Sequence, residues 1–366
     1  MAEVRVAQQS DKKEFYRLWK TCFGDSDAFC DWFFENRFSS EHSVVLETEG
    51  EIVSCMQAFP YTLRIRDKEI PGAMLCGVST HPSQRKKGYM GKIFSYEMNH
   101  LREKGAIVAP HTPAVLPSYF SFGHFPVADA KYLECESVPD FVSKVELTSV
   151  EEKDWKKILP LYTRFSQEYS GIIVRTEEDF LRKAADYAAD GGKCAAYIRN
   201  NEIKGYVFYY QTEEMLLCVE AVAEYGFYHD LMEGLMAEAI GLKFSAKLPP
   251  ELYLSFPFAE CQRKQKGVMG LCNIFGLLKA LQLNIPHSFQ VNDHIVSANN
   301  GIYQFDGKYS AEKPVFEISA GHMLQVLVGY RSLKELKNNI RIFDEEKFDE
   351  IDQLLPKQKC YIIDEY

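Results

Sequence analysis

The chain contains no C-x-x-C pair, although its ten cysteines are spread from Cys22 to Cys360. That scatter excludes a zinc knuckle or a dithiol redox pair and points to free, mostly buried thiols in a reducing compartment; no metal is expected. No apolar run reaches the roughly 18 residues of a membrane span, and MAEVRVAQQSDKKEF has no apolar leader core, so a soluble cytoplasmic protein is expected. An excess of positive charge is also missing. Lys and Arg number 42 against 52 Asp and Glu, a net −10, which opposes nucleic-acid or anionic-membrane binding and mildly favours a cationic partner, plain solubility being the other reading of that charge. Neither G-x-G-x-x-G nor G-x-x-x-x-G-K-[ST] occurs, so dinucleotide-fold and P-loop readings fail. The chain does have length: 366 residues, 46% apolar, give material for more than one core.

VRVA reads as a short strand, and Phe15, Leu18, Trp19 and Cys22 recur at helical spacing after it. DAFCDWFFENRF reads as a second short helix. SVVLETEGEIVSCMQAFPYTLRIRDKEIPGAMLCGVST then alternates as three strands, with EG and RDKE as turns. A helix from about Tyr89 to Lys104, the strand AIVAP, a helical turn at VLPSYFSFG and a β stretch from about Phe125 complete an α/β unit.

Between the third strand and its helix stands VSTHPSQRKKGYMG. A strand ending at Val78, Ser79 and Thr80 aims its last amides at the start of a helix, where free N–H groups attract anions. Arg85, Lys86 and Lys87 add charge for a phosphate, and Gly88 and Gly91, flanking Tyr89 and Met90, permit close approach to the backbone. A solvated basic turn is the other reading.

The order strand, R-x-x-G-x-x-G (Arg85, Gly88, Gly91), helix, strand, then A-x-x-x-x-Y-x-x-x-G (Ala114, Tyr119, Gly123) resembles the GNAT acetyltransferase superfamily over about residues 1–136. The resemblance implies that residues 78–80 and 85–91 hold acetyl-coenzyme A. It also implies that Tyr119 protonates the departing thiolate. Met90 stands where the family usually has a small residue.

From about Glu146 helices and strands recur in the same order without a basic-glycine turn. Beyond Pro257, GVMGLCNIFGLLKALQLN reads as an apolar helix, SFQVNDHIVSANNGIYQFDG as a hairpin with NNG at its turn, and EISAGHMLQVLVGYRSLKELKNN as another helix. Together with the first domain, these resemble the Eis-type (enhanced intracellular survival) acetyltransferases. The resemblance implies an α/β (α+β) fold with two GNAT-like mixed-sheet domains in tandem, followed by a smaller sterol-carrier-protein-like α+β domain. The boundaries expected are 1–145, 146–255 and 256–366, the second domain being degenerate.

In that family the C-terminal carboxylate is the general base, which here implies Tyr366, with Glu365 facing a cationic substrate; without the resemblance, IIDEY reads as a frayed tail. An ordinary α-carboxyl is a weak base until desolvated, so a water relay or His111, beside the acceptor position, stays open as the base. Asp25 and Trp32 offer charge and cation–π contacts to an amine, or belong to an ordinary amphipathic helix. The expected activity is acetyl transfer to a primary amine of a polyamine- or aminoglycoside-like molecule, or of lysine. The alternatives are a non-catalytic acyl-coenzyme A or lipid carrier or sensor, and a tandem acyl- or aminoacyl-transferase acting on a peptide. A homo-oligomer is left open.

Overall fold

The computed structural model describes residues 2–365. In chain order the elements begin β1 (Glu3–Val6), α1 (Lys12–Cys22), α2 (Asp27–Asn36), β2 (Ser43–Thr48), β3 (Glu51–Ile65), β4 (Lys68–Thr80), α3 (Tyr89–Glu103), β5 (Val108–His111) and β6 (Phe125–Cys135). They continue as β7 (Thr148–Ser149), α4 (Leu159–Ser166), β8 (Ile172–Ile173), α5 (Glu177–Ala189), β9 (Lys193–Arg199), β10 (Glu202–Gln211), β11 (Met215–Ala223), α6 (Tyr228–Ala237) and β12 (Lys243–Leu248). The last are β13 (Glu260–Leu271), α7 (Ile274–Leu281), β14 (Ser288–Asn292), β15 (Gly301–Gln304), β16 (Phe316–Ser319), α8 (Ala320–Val328), β17 (Arg341–Ile342) and α9 (Glu345–Leu354). Two compact units emerge. One takes the chain up to Ala128, Tyr169–Ile173 and everything from Lys266; the other takes Asp129–Glu168 and Val174–Gln265.

In the first unit β1, β2, β3 and β4 form an antiparallel meander, with the short β8 on the outer edge of β3. The alternation of β3 sorts its side chains. Cys55 and Phe59 join Phe15, Trp19, Phe33 and Phe34 of α1 and α2, while Met56 and Ala58 pack with Ile93, Phe94 and Met98 of α3 on the opposite face. The turns follow their residues: Glu49 and Gly50 both have positive φ, as a tight hairpin requires. β5 lies parallel to β4 and antiparallel to β13. A second sheet, ordered β15-β14-β16-β17, shares the larger core with α7, α8 and α9.

GVMGL is not helical. Residues 268–271 pair with β5, from Val268 opposite His111 to Leu271 opposite Val108, and the helix starts only at Ile274, capped by the Asn273 side chain. NNG is likewise no hairpin tip. Asn299 is buried; its Oδ1 accepts from Ile274 N and Arg102, and its Nδ2 donates to Leu271 O and Asp293, so its polarity is spent inside the unit. The last predicted helix begins as strand β16 and stops at Gly329.

In the second unit β9, β10 and β11 are antiparallel, with Asn200 and Asn201 at positive φ in the tip between β9 and β10. β12 runs parallel to β11 across α6. Within this unit Arg175 forms a buried bidentate pair with Glu220 of β11, joined by the hydroxyls of Tyr206 and Tyr187. Among the described residues no helix is long and apolar enough to cross a membrane.

Candidate active site

The site arises where β4 and β5 part. Their single ladder pair is Gly72 with Val108, so the rest of β4 has no hydrogen-bonding neighbour on that edge from β5. The register between β3 and β4 also slips one residue between Cys55 and Gln57, a bulge that re-aims the end of β4. Gly77 sits in that bulge for two reasons. Its φ is +59°, and a methyl group there would lie 2.4 Å from the Trp19 ring. Between the parted strands opens a cavity of about 920 Å³.

One wall carries Val78, Ser79 and Thr80. The turn that follows is drawn in by Arg85, whose Nε donates to Thr80 O at 3.1 Å. Gly88, at φ +76°, opens α3 as its N-cap. The first amides of α3 therefore lie beside Arg85 and Lys86, and Gly88, Tyr89, Met90 and Gly91 all line the cavity. Lys87 is not in the wall; its Nζ donates to Gln84.

The opposite wall carries His111, Thr112 and Tyr119. Tyr119 rides on a 3-10 turn, Leu116–Phe122, its ring edge-on to Phe94 and 4.5 Å from His111. Burial raises its phenol above the usual range, so it is protonated at neutral pH and can donate. His111 is buried against His124, which lies outside the quoted motif residues and escaped the sequence reading.

Further wall comes from residues at and just after the end of α1 and from Glu365 of the chain's tail. Trp19 Nε1 donates to Asp25 Oδ2 at 2.7 Å, which holds this carboxylate at the cavity beside Cys22 and Phe23. Trp32 does not join it; on α2 it packs, half-buried, against the core. The tail is strung along the unit. Ser170 N donates to Lys359 O, Tyr361 N donates to Ser170 O, and Tyr361, Ile362, Ile363 and Asp364 are buried. Ile362 lies on β13 where only glycine fits, since a methyl group on Gly267 would stand 2.5 Å from its Cδ1. Thr112 Oγ1 donates to Asp364 O at 3.4 Å, and Glu365 reaches the cavity paired with Lys266 at 3.2 Å. Tyr366, the residue assigned the base, lies outside the described residues. Lys266, in KQKG, gave no sequence signal because it is one of three cations within four residues, Arg263, Lys264 and Lys266, and nothing in the pattern sets it apart.

Residues 3–127 match the acetyltransferase (GNAT) domain family, and residues 276–363 match the sterol carrier protein domain family. Comparison with curated protein sequences gives no match. Among solved structures, a GCN5-related N-acetyltransferase from Anabaena variabilis superposes with a TM-score of 0.82 at 15% identity. A conserved protein of unknown function from Enterococcus faecalis gives 0.81 at 17%. Eis1 from Mycobacterium abscessus gives 0.77 at 12%. In each case 100% of both chains is covered. Residues 3–127 therefore form a GNAT acetyltransferase domain and residues 276–363 a sterol carrier protein domain, and the whole chain has the fold of these solved structures, Eis1 among them.

Proposed function

We propose that the protein transfers an acetyl group from acetyl-coenzyme A to a primary amine on a cationic small molecule or a lysine side chain, by direct attack. The observation that carries this reading is that one cavity is lined by the basic turn, by Tyr119 and by Glu365 of the tail. The residues fit the coenzyme. The β4 edge unpaired by β5 can receive an amide-bearing arm, the α3 amides with Arg85 and Lys86 suit a pyrophosphate, and a methyl on Gly91 would crowd Phe122 at 3.3 Å. The coenzyme supplies a thioester carbonyl and a thiol leaving group. Asp25 and Glu365 hold the ammonium end of the acceptor, and the Tyr366 carboxylate takes the proton released as the N–C bond forms. Tyr119 returns a proton to the sulfur as the C–S bond breaks.

The second unit is a degenerate relative of the first in this reading. β11, α6 and β12 repeat the order β4, α3 and β5, but the turn reads EYGF, with Glu224 in place of a cation. The buried Arg175–Glu220 pair occupies β11 just past its pairing with β12. The test is a panel of amines (polyamines, aminoglycosides, lysine peptides) assayed for free thiol release from acetyl-coenzyme A. Amine-dependent release with acetylated product supports the reading, and coenzyme binding without release by any amine sinks it.

A further inference from the structure

Behind the cavity wall two imidazoles meet: His111 Nε2 lies 3.0 Å from His124 Nδ1. The two residues are 3% and 0% exposed. Burial, with the neighbouring His124 adding to it, holds His111 well below the usual histidine range, and burial alone pushes His124 down to about 3. Both rings are neutral at pH 7, each carrying one N–H, and one N–H must fill the contact between them. The other nitrogen of His124, Nε2, has no hydrogen-bond partner among the described residues. It lies flat on β13, where a methyl group on Gly270 would be 2.1 Å away.

Two tautomer pairs satisfy the contact. If His111 donates through Nε2–H, His124 must carry its own proton on Nε2, which buries an unpaired N–H. If His124 donates through Nδ1–H, the unpaired atom is only a lone pair, and His111 carries its proton on Nδ1. Buried unpaired donors are rarer than under-used acceptors, so the second arrangement wins. His111 lines the cavity with its Nε2 end already tied back, which leaves its Nδ1 end for the reacting groups beside Tyr119. We propose that His124 is a positioning residue that locks His111 in the Nδ1–H tautomer, so that His111 serves acyl transfer as a hydrogen-bond donor and not as its base. The use of that donor rests on the reading above; the tautomer does not.

The test has two arms. Spectra of ¹⁵N-histidine-labelled wild-type protein at pH 7, assigned by the signals lost in His111→Asn and His124→Phe, read the tautomer without any substrate. His111 protonated on Nδ1 is the expected result; a proton on Nε2, or a doubly protonated ring, overturns the proposal. In His124→Phe the His111 signals should spread over both tautomers, and a persisting pure Nδ1–H form would remove His124 from its role. In turnover, His111→Asn keeps an N–H donor but no basic nitrogen. It should stay within about tenfold of wild type while His111→Ala loses about 10²-fold, the usual cost of a lost donor. Equal losses would overturn the donor role. Failure of acyl transfer itself would leave the spectra unaffected, so the two readings fail separately.

Discussion

At the level of single residues the proposed chemistry rests on Tyr119. Its ring is fixed by Phe94 and His111, and its raised pKa keeps the proton available. Tyr119→Phe should retain fold and coenzyme affinity while kcat falls about 10²-fold, measured by thiol release and calorimetry. An unchanged kcat would reduce Tyr119 to packing. A second residue sets a pH effect on stability. Glu97, buried on α3 with Oε2 unpartnered, has its carboxyl pushed up to about 7 by burial alone. Folding therefore favours its protonated form. The stability this gives is complete below the unfolded pKa near 4.5 and is lost as pH rises through about 7, to the extent of ~3 kcal/mol. Glu97→Met should raise the melting temperature more at pH 8 than at pH 4.5, and equal shifts at both would refute the assignment. Neither burial nor orphaning of Glu97 was legible in the sequence, where a glutamate on a helix looks solvated.

Elements divide into those a short pattern betrays and those it does not. The turn at 81–88 was legible as the connection from a strand to a helix, whereas its use as an anion site rested on the motifs around it, since a basic turn alone is as readily a solvated loop. Its parts are not equivalent in space, however. Arg85→Ala and Lys86→Ala should weaken acetyl-coenzyme A binding, with a loss that shrinks as salt rises, whereas Lys87→Ala should matter less because Lys87 faces Gln84. Calorimetry at two salt concentrations decides. β13 was not legible. GVMGLC ahead of Asn273 is apolar, and so short an apolar run gives no period by which to tell a buried strand from a helix. Its glycines were the missed signal, since Gly267 admits Ile362 of the tail and Gly270 admits His124. Gly267→Ala should displace the tail and cut kcat several-fold with coenzyme affinity intact, as small misplacements of reacting groups are costly. Wild-type turnover in that variant would separate the tail from catalysis.

Across the whole molecule, residues distant in sequence are brought to one cavity: Asp25, Arg85, Tyr119, Lys266 and Glu365 all line it. That a GNAT domain comes first and a sterol carrier protein domain last could be read from motif order, but the packing of the tail could not, because IIDEY resembles any short chain end. What buries it is the glycine in β13 and the backbone of Ser170, neither of which is near it in sequence. The account's central claim is that this tail and the coenzyme turn build one active site. Turnover of three proteins tests it most directly, with a single responsive amine: an N-terminally tagged chain, a chain extended by one glycine after Tyr366, and a chain lacking Tyr366. The account predicts full activity in the first and a loss of about 10²-fold in the other two, with melting temperature and acetyl-coenzyme A affinity unchanged. Equal turnover in all three would contradict it.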